Sequence, residues 1–168
     1  MNDYITKVRV AAKARAGSPI YNGSLDHASV LAKTLVEFSA REVCVFSGSL
    51  DPKVFGNSDF IDEVQEFLGK SGRRMRIVVE RPDEIDQKDH QFFAQFLGNT
   101  DVSIRTVAKE VADKIPYHFM VSDGDCYRFE SDKNKPEAIA SFGDETGGAR
   151  LSGIFDILWN RASDWQDS

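Results

Sequence analysis

Cysteine is scarce: Cys44 and Cys126 are the only two in 168 residues, and no Cys or His stands near either at metal-ligand spacing. Neither a disulfide framework nor a structural zinc site is expected, and both thiols read as small reduced hydrophobes. The three histidines, His27, His90 and His118, share no short spacing either. No metal or cofactor is therefore expected, although folded proximity to Asp51, Glu80 or Asp89 stays open. No apolar run approaches the roughly 18 residues that span a bilayer, and the N-terminus carries no stretch resembling a signal peptide. A cytoplasmic protein without a membrane partner is expected. Repeats and low-complexity tracts are also missing.

Positive charge is in deficit, with 21 Lys and Arg against 27 Asp and Glu and a net charge of −6. Such a field repels nucleic acid at long range, so a nucleic-acid role is disfavoured and would rest on local clusters. One cluster is Lys7, Arg9, Lys13 and Arg15; another is Lys70 with Arg73, Arg74 and Arg76. Neither is interleaved with aromatics as a single-strand binding surface would be, and both read as solvated faces.

What is present is an alternation of helical and strand periods within the length of one domain. A basic N-terminal arm is expected over 1–21, a single α/β domain over 22–162 and an acidic, frayed tail over 163–168. Within the domain, Asn22-Gly23-Ser24 signals a helix start, and Ala28, Leu31, Leu35 and Phe38 follow at helical spacing. Glu42–Phe46 reads as a buried strand ending in the small-residue loop Ser47 to Pro52. Phe60, Ile61, Val64, Phe67 and Leu68 mark a second helix that stops before Gly69, and Ile77–Val79 a second strand. A third helix is expected over Asp86–Leu97, and Val102, Ile104 and Val107 alternate as a third strand. A strand at His118 turns at Asp123-Gly124 into a hairpin partner, Cys126–Phe129. Ala138–Phe142 is a further strand, and Glu145–Ala162 is a terminal helix with Leu151, Ile154, Phe155, Leu158 and Trp159 as its apolar stripe. The unbroken apolar strands argue for a mixed, mostly parallel sheet with helices on both faces.

The chemistry-bearing segment is His118-Phe-Met120-Val-Ser-Asp-Gly-Asp125. It resembles the signature of the phospholipase D superfamily, in which a His is followed two residues on by a Lys and later by an Asp. Here His118 and Asp125 match, while Met120 stands in place of the lysine. The resemblance extends over about Glu42 to Ala162 and implies one half of a phospholipase D-like molecule. It also implies a nucleophilic imidazole at His118 and dimerisation to complete a site, since members of the family use two facing motifs. Two departures weaken the enzymatic implication. A thioether cannot neutralise the charge on a transferring phosphoryl group, and losing one preorganised donor already costs roughly 10²–10³ in rate. The Gly-Ser pair expected after the Asp is absent, the chain reading Phe129-Glu130-Ser131-Asp132-Lys133 there.

Candidate site residues are thus His118 and Asp125 for catalysis, with Ser47, Ser49 and Arg128 for binding. Ser47 and Ser49 lie where a strand end opens a ligand crevice, although a tight loop needs the same residues. Arg128 is the nearest cation that could replace the lysine. His27 and His90 read as helix residues, and Phe155 and Trp159 as core. Three functions remain open. The reading taken forward is a catalytically degenerate phospholipase D-like module, acting as a binding, sensing or assembly subunit in a bacterial regulatory or defence system through a protein partner or a homodimer. The others are a homodimeric phosphodiesterase or nuclease using His118, and an unrelated α/β signalling or interaction domain.

Overall fold

The computed structural model describes residues 1–166. In chain order the elements are α1 (Asn2–Ala14), β1 (Ile20–Asn22), α2 (Leu25–Glu37), β2 (Glu42–Ser47), α3 (Pro52–Phe55) and α4 (Ser58–Leu68). Next come β3 (Arg74–Val79), α5 (Gln91–Phe96), β4 (Val102–Thr106), α6 (Lys109–Ala112), β5 (His118–Ser122), β6 (Cys126–Glu130), β7 (Ala138–Phe142), α7 (Glu145–Asn160) and β8 (Ser163–Asp164). Side-chain caps set several helix starts: Ser24 accepts from the His27 N–H, Asn57 from Phe60 and Asp144 from Gly147.

The strands form one sheet in the order β1-β7-β6-β5-β2-β3-β4-β8. It is mixed and flanked by helices on both faces, as expected. Its parallel part is narrower than expected, however, being confined to β2–β3 and β3–β4, while the other five ladders among the described residues are antiparallel. The reason is local. The Asp123-Gly124 turn, with both residues at positive φ (53° and 76°), returns the chain at once into β6, and β7 then runs antiparallel beside β6.

The continuous apolar run of β2 is buried on both sides. Val43 and Val45 join the core formed with α1, α2, α4 and α5, while Cys44 and Phe46 join the one formed with α7. Both cysteines are free and buried. Phe155 is fully buried and Trp159 packs against the same cluster, stacked on Phe155 and covered by the Arg105 guanidinium.

The chain ends differ from expectation. The basic arm contains α1, whose Val8 and Ala12 are buried in the main core. At the other end β8 pairs with β4, and Trp165 packs on Phe93 and donates to Gln87. The last two residues of the expected tail lie outside the described residues. The third helix is also shorter than Asp86–Leu97. Asp86 folds residues 86–90 into a turn, accepting from Lys88 through its side chain and from Asp89 and His90 through its carbonyl. The helix then starts at a His90 cap, whose Nδ1 accepts from the Phe92 N–H while Nε2 lies 2.7 Å from the Leu50 carbonyl. His27 stacks on Tyr4, joining α1 to α2. Among the described residues, no helix is long and apolar enough to cross a membrane.

Candidate functional site

Strand direction assembles the site. Because β5 runs antiparallel to β2, with Phe119 opposite Phe46, the start of β5 meets the end of β2, and His118 comes beside Ser47. Because β3 is parallel to β2, with Val79 opposite Ser47, the residue just past β3 is Glu80, at the same end of the sheet. The hairpin then returns Glu130 opposite His118. Four strand ends thus converge where parallel strands end, the usual position of a ligand crevice in such sheets. They enclose a cavity of about 520 Å³, lined among others by Ser47, Ser49, Arg81, His118, Arg128 and Lys133.

His118 is only 6% exposed. Its Nε2 lies 3.3 Å from Glu80 Oε2 and its Nδ1 3.9 Å from Glu130 Oε2. The shorter contact is not aligned as a hydrogen bond, so Nε2 is a buried ring nitrogen without a hydrogen-bond partner. Glu80 is the charge hub. Its Oε2 accepts from Lys133 Nζ at 2.7 Å, and its Oε1 from Arg81 Nη1 at 3.0 Å. Burial pushes the Glu80 carboxyl up, but His118 and Lys133 beside it outweigh that effect and hold it down at about 2. Lys133 also donates to the Ala112 carbonyl at 3.1 Å and lies over the Phe46 ring. Arg128 is buried and fully engaged, with Nε on Asn22 Oδ1 (2.9 Å), Nη2 on the Pro136 carbonyl (3.1 Å) and Nη1 on Glu130. Among the described residues, no group of three or more His, Cys, Asp or Glu is arranged to hold a metal ion.

The structure therefore brings together His118, Ser47, Ser49 and Arg128 of the sequence candidates. Asp125 is elsewhere: it lies past the far end of β5, paired with Arg15, and does not line the cavity. The carboxylate that organises that turn is Asp123, which accepts from Ser39 and from the backbone N–H groups of Ala40, Arg41 and Glu42. Met120 is 2% exposed in the core and does not reach the large cavity. Sequence reasoning held Glu80 only as a residue that folding could bring near a histidine, and missed Lys133, Arg81 and Asn22 as site residues. Glu80 and Arg81 carried a usable signal, charged residues immediately after a buried parallel strand. Lys133 carried none, being one charge in the polar loop between β6 and β7.

With this geometry in view, residues 24–167 match the family described as a domain of unknown function (DUF7931). No curated protein matches the sequence. Among solved structures, NucT from Helicobacter pylori superposes with a TM-score of 0.64 at 9% identity, over 88% of this chain and 99% of that one. Nuc from Salmonella typhimurium, a phospholipase D family member, gives 0.60 at 14% identity, over 89% and 100%. TrmBL2, an archaeal chromatin protein with a novel mode of DNA binding, gives 0.63 at 10% identity over 98% of this chain, which spans 60% of TrmBL2. At these identities the likeness shows the fold alone, and that fold is phospholipase D-like.

Proposed function

We propose that this chain, which belongs to the DUF7931 family, is a phospholipase D-like module that binds an anionic ligand or a partner at its His118 cavity without turning over phosphodiesters. The observation that carries the reading is the surrounding of Met120. An apolar side chain fills the motif's lysine position, facing Val45 on one strand and Arg128 on the other, and Arg128 is committed to Asn22, Glu130 and Pro136. No mobile cation is left at that position to follow charge developing on a phosphoryl group. Binding without turnover suits a sensing or assembly subunit in a bacterial regulatory or defence system. A homodimer or a larger protein partner would meet the edge formed by His118 and the loop from Ser47 to Pro52. The −6 charge stands against nucleic acid as the partner.

A second reading, phosphodiesterase chemistry in a homodimer, is favoured by one observation, the unpartnered Nε2 of His118. A single assay separates them. Purified protein is offered a bis-aryl phosphodiester and single- and double-stranded nucleic acid, with and without divalent metal. The expected result is no turnover above background. Robust turnover abolished in His118→Ala would replace the binding reading with the enzymatic one.

A further inference from the structure

The cavity is a cationic exception in an acidic chain: Arg81, Arg128, Lys133 and Lys135 line it against Asp51 and Glu130. We infer that Lys133, supplied from the loop between β6 and β7, makes the cavity a site for a phosphate group, with Glu80 as the internal anion that such a ligand must outcompete. The inference rests on the binding reading above and names its ligand class and the residues that set affinity.

Three observations converge. Lys133 Nζ and His118 Nε2 flank the same oxygen, Glu80 Oε2, at 2.7 and 3.3 Å, so the ammonium stands beside the imidazole although it comes from a different element. An ammonium has three donors; Glu80 and the Ala112 carbonyl take two, and one remains. The His118 Nε2 is a second unfilled position, buried and without a hydrogen-bond partner, and donates to a bound anion in the tautomer or protonation state that places a proton there. Arg81, just past the end of β3 and paired with Glu80 and Glu84, supplies a third. Its backbone N–H donates to the Gly48 carbonyl at 2.8 Å, and its guanidinium lies so closely over Gly48 that a Cβ there would stand 2.1 Å from Nη2. The glycine between Ser47 and Ser49 therefore leaves room for a cation at the cavity wall.

Donors of three kinds arriving from β5, from the end of β3 and from the β6–β7 loop suit a tetrahedral oxyanion, whose oxygens point in several directions, better than a planar carboxylate. One carboxylate already touches all three. Glu80 contacts Lys133, His118 and Arg81, and it lies between the groups that would hold the ligand. A dianionic phosphate carries more charge than the single carboxylate it competes with.

The test is calorimetric titration of the full chain with inorganic phosphate, pyrophosphate and acetate at low ionic strength. The variants are Lys133→Gln, Lys133→Arg, Glu80→Gln and the exposed Lys114→Gln as a control for net charge, each checked for folding by circular dichroism and thermal melting. Expected are a loss of at least tenfold in phosphate affinity for Lys133→Gln, retention within a few-fold for Lys133→Arg, a gain of several-fold for Glu80→Gln and no more than a twofold change for Lys114→Gln. Wild-type protein that binds neither phosphate nor pyrophosphate would overturn the phosphate inference and leave, of the reading it rests on, only a partner at the cavity. Phosphate binding unchanged in a folded Lys133→Gln, or lost equally in Lys133→Arg, would overturn the assignment to Lys133 while leaving that reading standing. Weaker binding in Glu80→Gln would overturn its part as internal competitor, and acetate binding as tightly as phosphate would overturn the ligand class.

Discussion

Arg128 stands directly opposite Met120 in the β5–β6 ladder, so a buried guanidinium and a buried thioether share one face of the sheet. Every arm of that guanidinium is tied, to Asn22, Glu130 and Pro136. The methionine is thus part of the packing that lets Arg128 stay buried. Placing a lysine there, Met120→Lys, puts a second positive charge beside Arg128 in a site that is 2% exposed. A destabilisation of roughly 3 kcal/mol or more is expected from urea unfolding, with no gain of phosphodiesterase turnover.

Asp123 and Asp125 should separate sharply. Although burial pushes the Asp123 carboxyl up, three backbone N–H groups and the Ser39 hydroxyl hold it below its usual range. Asp123→Ala strips those donors of their acceptor and is expected to cost about 3 kcal/mol in urea unfolding. Asp125→Ala removes only a half-exposed pair with Arg15 and is expected to cost under about 1 kcal/mol.

Glu80 gives the stability a signature in acid. Its carboxyl is held at about 2 in the folded chain against an ordinary value of 4.5, so its contribution is fully present above about pH 4.5 and lost as pH falls toward 2. The stability difference between wild type and Glu80→Gln should therefore be largest near neutrality and shrink through that window. Thermal melts of both proteins at a series of pH values check this, and a difference that grows on acidification would contradict the ion contacts with Lys133, His118 and Arg81.

Gly148, in the first turns of α7, packs against the hairpin turn so closely that a Cβ would stand 2.2 Å from the Gly124 carbonyl oxygen. Backbone cannot yield as a flexible side chain does. Gly148→Ala is expected to lower stability by about 2 kcal/mol despite the better helix propensity of alanine, whereas Gly153→Ala, with nothing within 4 Å of its Cβ, should be neutral or slightly stabilising.

Association is the remaining expectation. If the His118 edge meets a second copy, light scattering over a concentration series should show a dimer, and charge reversal at the exposed Lys135 beside the cavity should weaken it. A monomer at every concentration would leave the partner to be a different protein.

Much of the fold could be read in the residues themselves, because its signals are local. The apolar run Val43–Phe46, the Ser24 and Asn57 caps, the Asp123-Gly124 turn and the stripe from Leu151 to Trp159 each follow from periodicity or backbone preference within a few neighbours. The His118 strand and the crevice at Ser47 and Ser49 were legible in the same way. Other features depended on partners far along the chain. Strand β1 is three residues long and exists through its ladder with β7, β8 is two residues held by β4, and the helix expected from Asp86 yields to a turn closed by the Asp86 side chain and a His90 tied to Leu50. The site divides in the same way. That an apolar residue stands two positions after His118 was visible in one residue, Met120. That Glu80, 38 positions before His118 in sequence, and Lys133, from a polar loop, would meet on one carboxylate oxygen was set by which strands run parallel and which antiparallel, and such pairings are decided by tertiary packing, which no local pattern encodes.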